Sequence, residues 1–101
     1  MKVFRKKTIP MKVKSMLFFC VVDERKYDVV FRAYSGKYKS SFVEIIFNWK
    51  DTYCINLYKP SVRAILIEHT ISKGWKPYNE KQIIRVSDSS EIIEELSLKE
   101  L

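Results

Sequence analysis

Glycine, proline, cysteine and histidine are all scarce in this chain of 101 residues, which has two glycines, three prolines, two cysteines and one histidine. So few glycines and prolines leave little room for flexible linkers or low-complexity segments. The two glycines, Gly36 and Gly74, also exclude a glycine-rich phosphate-binding loop. Two isolated cysteines and one histidine cannot form a closed structural zinc site on their own. We therefore expect a single domain over residues 1–101 that holds no cofactor and no metal.

The chain also lacks an apolar run long enough to cross a bilayer, which takes roughly 20 residues. Residues 16–22 follow a basic start and superficially resemble a secretory signal. Seven apolar residues are the minimum for such a core, and no small-residue cleavage site follows them. We interpret the run as a buried strand. Cys20 and Cys54 lie in apolar runs and are expected to be reduced core thiols, with a disulfide as the alternative. These features predict a cytoplasmic protein that does not associate with membranes.

Charge is distributed unevenly along the sequence, whose formal net charge is +7. Residues 1–14 carry six basic side chains and no acidic one, residues 15–87 sum to +5, and residues 88–101 sum to −4. Because the molecule is charge-polarised rather than uniformly basic, its high isoelectric point does not by itself indicate nucleic-acid binding.

Apolar and alternating segments predict four strands before the first helix, at residues 14–22, 27–34, 42–49 and 53–58. Their short connections are typical of an antiparallel meander, because parallel neighbours need long crossovers. A further strand is predicted over residues 82–86, and a second helix begins near Asp88. The order β-β-β-β-α-β-α predicts an α+β fold, with an antiparallel sheet of four to five strands and both helices packed on one face. Residues 1–10 are expected to form a flexible basic extension.

The clearest helix signal lies over residues 61–73. Ser61 is the expected N-cap, and Gly74 is expected to close the last turn in the left-handed conformation. The apolar stripe repeats at helical spacing and comprises Val62, Ile65, Leu66 and His69. Trp75 is expected to pack back over the last turn of the helix, and Pro77 prevents the helix from resuming.

The same segment carries a resemblance to known proteins. Residues 55–77 include Val-Arg-Ala-Ile near the helix start and Gly-Trp-Lys-Pro after its end. This pattern resembles one in small uncharacterised bacterial proteins, some of which are carried on mobile gene cassettes (integrons). The resemblance covers about a quarter of the chain. It implies a small α+β domain of unknown function and transfers no functional residue to this sequence.

Residues that could carry catalysis are sparse. His69 has no obvious orienting partner, because the adjacent Glu68 projects about 100° around the helix. Ser61 has no glycine-flanked elbow around it. Glu44 lies among apolar strand residues, and we expect it to face outward opposite a basic cross-strand neighbour. We therefore predict no catalytic residue and interpret His69 as a partly buried structural side chain.

Aromatic and basic residues alternate around the tip of a predicted hairpin, and a tryptophan ends the next strand. The candidate binding residues are Arg32, Tyr34, Lys37, Tyr38, Lys39 and Trp49. We predict a non-catalytic protein-interaction or accessory domain that binds a protein partner or associates with itself as a homodimer. The alternative is a weak nucleic-acid or polyanion-binding module that uses the basic N-terminal arm and this hairpin.

Overall fold

The computed structural model describes residues 8–48, 55–87 and 89–96. Within these ranges the chain forms five strands and two helices in the predicted α+β order. The elements are β1 (Thr8–Val13), β2 (Met16–Glu24), β3 (Asp28–Ser35), β4 (Phe42–Asn48), α1 (Pro60–Ser72), β5 (Ile83–Val86) and α2 (Ser90–Glu95). None of the helices in this described part is both long enough and apolar enough to span a membrane.

The strands form one sheet in the order β1-β2-β3-β4-β5. The first four strands pair antiparallel with their neighbours, as a meander does. β5 pairs parallel with β4, so the sheet is mixed and the prediction of a wholly antiparallel sheet is wrong at this edge. The connection permits parallel pairing, because the segment between β4 and β5 contains α1 and is long enough for a crossover.

β1 is a strand that the sequence pattern did not predict. Its residues 8–10 fall in the segment that we expected to be a basic extension. β1 joins β2 through Lys14 and Ser15, whose φ angles are 52° and 67°. Two positive φ angles are what a two-residue hairpin turn of type I′ requires. Neither residue is Gly or Asn, so the sequence carries no signal for a turn here. The strand predicted over residues 14–22 therefore wrongly includes both turn residues.

The strand predicted over residues 53–58 is wrong for its described part, residues 55–58. The Tyr58 amide donates to the Asn56 side-chain oxygen at 3.0 Å, which turns the chain instead of pairing it. Ile55 and Leu57 are nevertheless only 4% and 3% exposed. The alternation in the sequence therefore predicted burial correctly but not sheet pairing. Residues 53 and 54 lie outside the described ranges.

Arg63 in the first turns of α1 holds this segment in place. Its side chain is 4% exposed, and its Nη1 donates to the Tyr58 carbonyl at 2.7 Å and to the Leu57 carbonyl at 3.3 Å. The arginine of the Val-Arg-Ala-Ile pattern thus satisfies backbone carbonyls of a buried loop, which is a structural role.

α1 begins one residue earlier than predicted, at Pro60, and Lys59 occupies the N-cap position. Ser61 lies inside the helix, so its assignment as the N-cap is wrong; proline at the first helical position explains the shift. The predicted end is confirmed: Gly74 has a φ of 112°. The Trp75 amide donates to the Thr70 carbonyl at 3.0 Å and the Gly74 amide to the Ile71 carbonyl at 3.1 Å. These are the two hydrogen bonds of a Schellman motif.

One face of the sheet, here called the core face, carries the most deeply buried side chains. Phe18, Cys20, Phe31, Ala33, Val43, Ile45 and Phe47 alternate along β2, β3 and β4 and belong to one hydrophobic cluster. Leu66 and Ile67 of α1 and Ile92 and Ile93 of α2 belong to the same cluster. Both helices thus contribute buried side chains to the core, and their packing on a single sheet face stays a prediction.

Candidate interaction surface on the sheet

The second face of the sheet carries a row of apolar side chains that crosses all five strands. The cross-strand register places these residues opposite one another: Pro10, Phe19, Tyr34, Phe42 and Ile83. Neighbouring strands lie about 4.8 Å apart, so the row spans roughly 19 Å. We call these five residues the apolar row and the face that carries them the row face.

The side chains of the apolar row are only partly covered. Phe19, Tyr34 and Phe42 are half-buried, and Ile83 is 46% exposed. The Tyr34 and Phe42 rings pack on each other with centroids 5.2 Å apart and planes tilted by 43°. The Arg85 guanidinium lies 5.6 Å from the Phe42 ring centroid. The row is therefore a continuous, ridged apolar surface in contact with solvent.

A charged group lies beside the apolar row. Glu44 accepts a hydrogen bond from Arg32 Nε at 2.9 Å and another from Arg85 Nε at 3.1 Å. The three residues are cross-strand partners on β3, β4 and β5. The Glu44 side chain is only 13% exposed, which strengthens these contacts relative to ion pairs in open solvent. The expectation that Glu44 faces a basic cross-strand neighbour is confirmed, and the guanidinium of Arg32 is engaged by a carboxylate.

On the side of the apolar row opposite Glu44, the end of the sheet is basic. The β1–β2 turn and the β3–β4 loop meet there, because the Gly36 amide donates to the Leu17 carbonyl at 2.8 Å. A β-carbon at Gly36 would lie 2.7 Å from that oxygen, so glycine permits the approach. Together with the end of β1, these two segments supply four lysines, Lys12, Lys14, Lys37 and Lys39, which we call the lysine end.

The lysine end has no acidic residue in its own segments, since residues 8–22 and 29–43 contain none. The adjoining loop over residues 76–82 contributes Lys76, Glu80 and Lys81. This loop contacts the β3–β4 loop, because the Lys81 amide donates to Ser40 Oγ at 3.0 Å. The positive charge at this end is therefore concentrated by the fold, which unites part of the basic N-terminal segment with the predicted hairpin tip.

Ser35 positions the start of the β3–β4 loop. Its buried hydroxyl donates to the Pro77 carbonyl at 2.7 Å and accepts the amides of Lys37 at 3.2 Å and Tyr38 at 3.3 Å. A short side chain with both donor and acceptor capacity thus holds the basic loop against the segment that follows α1.

Ser41 and Trp75 fasten the other end of the same loop. The Trp75 indole Nε1 donates to Ser41 Oγ at 3.2 Å and to the Gln82 carbonyl at 3.0 Å. The ring is 1% exposed and packs on Phe18 with centroids 5.6 Å apart. Burial of Trp75 in the core is confirmed, while packing of its ring over the last turn of α1 stays a prediction. Its hydrogen bonds add a polar link between the loop and the residue that precedes β5.

Two pockets lie next to these features. One, of about 370 Å³, is lined by Thr8, Phe19, Val21, Tyr34 and Lys39. Lys39 is the charged member of this otherwise largely apolar lining. The other, of about 400 Å³, is lined by residues of the lysine end and the following loop, among them Leu17, Lys37 and Tyr78. Pockets of this size can accept a large side chain or a small ligand.

The predicted binding residues are distributed over these features. Tyr34 and Lys39 line the first pocket, and Lys37 lines the second. Arg32 lies in the neighbouring charged group, and the half-buried Tyr38 ring has the Lys37 ammonium 5.4 Å from its centroid. Trp49 lies outside the described residues. Phe19, Phe42 and Ile83 were not predicted from the sequence, because they join the site only through the register of β2, β4 and β5.

The side chains of His69 and Cys20 are both largely buried. The His69 side chain is 8% exposed, with Nδ1 3.8 Å from Glu95 Oε1, and Lys73 Nζ lies 3.4 Å from the same oxygen. Burial raises the pKa of the Cys20 thiol to about 11, while the nearby Arg63 partly opposes the shift. The thiol is therefore protonated and poorly nucleophilic near neutral pH. Among the residues that the structure describes, no three or more His, Cys, Asp or Glu side chains are grouped to hold a metal ion.

Comparisons of the chain with protein-family models, with curated proteins and with solved structures found no match. The resemblance to small proteins of mobile gene cassettes accordingly stays a prediction.

Proposed function

We propose that the chain is a non-catalytic, cytoplasmic protein-interaction domain that binds its partner through the row face. The apolar row carries the proposal. The solvent side of an antiparallel sheet ordinarily alternates to polar residues, whereas here five apolar side chains are aligned across it. Half-exposed aromatic side chains of this kind are typical anchors of protein interfaces.

The charged group beside the row supports a protein partner. Glu44 places a carboxylate near the middle of the row face and engages the guanidinium groups of Arg32 and Arg85. Mixed charges at the margin of an apolar patch fix the register of a protein interface without neutralising a polyanion. The partner is another protein or a second copy of this chain.

The proposal is tested by replacing row residues and measuring assembly. Phe19→Ser and Phe42→Ser should each weaken binding of a protein partner isolated by affinity purification, or of a second copy of the chain. The expected loss is at least tenfold, because each substitution places a hydroxyl in the apolar contact. Tyr27→Ser is the matched control, since Tyr27 is 78% exposed and lies in the β2–β3 turn. Sedimentation and quantitative affinity purification provide the readouts. Equal assembly in all four proteins would contradict the proposal.

Nucleic-acid or polyanion binding is the second candidate, and the lysine end favours it. Such binding should weaken steeply as the salt concentration rises. The slope of log affinity against log salt concentration should become shallower when lysines are removed. Because residues 8–10 belong to β1, deleting residues 1–10 would damage the sheet. A sharper test keeps the full chain and changes Lys2, Arg5, Lys6 and Lys7 to Gln. Oligonucleotide affinity that falls with these changes and with salt would favour the second candidate.

A further inference from the structure

The pocket on the row face combines an apolar floor with one cation. Phe19 and Tyr34 are direct cross-strand partners, so their rings form adjacent parts of the same wall. Thr8 and Val21 are partners in the neighbouring register position and complete that wall. Lys39 reaches the pocket from the β3–β4 loop. An occupant that satisfies all of these residues has an apolar body and a negative charge close to it.

The charged residues on the two sides of the apolar row differ. On one side of the row lies the lysine end, whose segments contain no acidic residue. On the other side lie Glu44 with its two arginines and, further along β2, Asp23. A carboxylate beyond the row on the lysine side meets lysines whose segments contain no acidic residue, whereas on the opposite side the two arginines are already engaged by Glu44. The lysine side is therefore the more complementary to acidic groups.

The geometry also suits an extended segment that lies across the face. The row spans roughly 19 Å, the length of about six extended residues. Pro10 lies in the edge strand β1 and has no amide hydrogen to offer a pairing strand. Proline is tolerated in a sheet where its missing donor falls on the outer edge, so addition of a partner strand at β1 is disfavoured.

From these observations we infer that the partner presents an extended protein segment that seats an aromatic or aliphatic side chain in the pocket of Phe19, Tyr34 and Lys39 and directs acidic side chains toward the lysine end. The inference rests on the proposed function and names the chemistry of the partner. Lys39 contacts the acid nearest the pocket, while Lys12 and Lys37 attract the acids that follow it.

The test uses a synthetic six-residue peptide with blocked ends that contains one Phe followed by three Glu residues. Titrated into the ¹⁵N-labelled full chain at low salt, it should shift the amide signals of Thr8, Phe19, Val21, Tyr34 and Lys39. A peptide with Gln in place of Glu should bind roughly fivefold more weakly, and one with Ala in place of Phe likewise. Raising the salt concentration should weaken the acidic peptide alone.

Lysine substitutions locate the acidic contact. Lys39→Gln should weaken the acidic peptide roughly fivefold and leave the Gln peptide unchanged, while Lys39→Arg should retain binding. Lys26→Gln is the matched control, because Lys26 is an exposed lysine in the β2–β3 turn at the opposite end of the sheet. Equal weakening by Lys26→Gln and Lys39→Gln would reduce the effect to net charge and overturn the inference.

The remaining outcomes are equally decisive. Equal affinity for the Glu and Gln peptides, or no shift of the pocket amides, overturns the inference. A single-stranded oligonucleotide that shifts the same amides at lower concentration overturns it in favour of nucleic acid. Partner binding that is lost in Phe19→Ser but unchanged in Lys39→Gln overturns the acidic contact and retains the proposed function. Partner binding that survives Phe19→Ser and Phe42→Ser overturns the proposed function itself.

Discussion

The two faces of the sheet are both rich in aromatic residues, yet they use them differently. On the core face, Phe18, Phe31 and Phe47 are completely buried and belong to a cluster that includes side chains of both helices. On the row face, Phe19 and Phe42 lie on either side of Tyr34 in the same cross-strand row and remain half-buried. Residue type alone therefore does not separate stability from recognition. Among the described residues, the difference is that the core-face rings share one cluster with side chains of both helices.

The polar groups of the two faces differ in the same way. The core face holds the Cys20 thiol in its neutral form, because burial raises its pKa. The row face carries the charged group of Arg32, Glu44 and Arg85, which stays partly in contact with solvent. The buried thiol on one face thus stays neutral, while the other face carries a mutually compensated set of charges.

Truncation of one phenylalanine on each face tests this difference most directly. Phe31→Ala should lower the free energy of unfolding by about 3–5 kcal/mol, because it removes a completely buried ring and leaves a cavity. Phe19→Ala should cost about 1–2 kcal/mol, because its ring is only partly buried. Urea unfolding followed by circular dichroism measures both values. If the two variants lose the same stability, the row face is part of the core and not a free surface.

The next largest effect concerns Cys20 at alkaline pH. Its folded-state pKa is raised to about 11, so the folded chain retains a proton that the unfolded chain releases from about pH 8.5 upward. The associated stability is fully present below pH 8.5 and is lost as the pH rises toward about 11, by roughly 3 kcal/mol in total. Unfolding free energies measured from pH 7.5 to pH 10.5 should therefore fall more steeply for the wild type than for Cys20→Ala. Parallel pH profiles would mean that the thiol is not desolvated.

A smaller effect is expected on the row face when the charge of Glu44 is removed. Glu44→Gln should cost about 1 kcal/mol, because two guanidinium groups lose a charged acceptor but remain partly solvated. Glu68→Gln on the exposed side of α1 is the control and should change stability by less than about 0.5 kcal/mol. Chemical unfolding of both variants at low and high salt provides the comparison. A Glu44→Gln loss that is insensitive to salt would contradict an electrostatic origin.

Much of the core face could be predicted from the sequence, because its signals are local. The alternation along β3 and the apolar run of β2 predicted strands that the structure contains. The spacing of α1 predicted a helix that is followed by the left-handed Gly74. Each of these signals depends on the residues of one element. Burial of Val62 and Leu66 followed from the same periodicity.

The row face could be predicted only in part, because it depends on which strands are neighbours. Tyr34 and Lys39 were identified from local composition, and both line the pocket. Phe19 and Ile83 become part of the same row only when β1, β2 and β5 are paired in their observed register. The local sequence pattern does not reveal that an edge strand after a crossover pairs parallel. It also does not reveal which of two registers, one residue apart, the strands adopt.

The smallest expected effect is a gain of stability at the β1–β2 turn, whose residues gave no turn signal in the sequence. Ser15 has a φ of 67°, a conformation that glycine adopts without steric cost. Ser15→Gly should therefore raise the free energy of unfolding by about 0.5–1 kcal/mol, because relief of strain exceeds the entropy lost on folding. Ser61→Gly is the matched control: Ser61 is exposed inside α1, and the same substitution should lower stability by about 0.5 kcal/mol. Thermal and urea unfolding of the two variants should thus move in opposite directions. Because the substitution alters neither face, peptide binding at the pocket should stay unchanged, which separates the stability of the hairpin from recognition by the row that it supports.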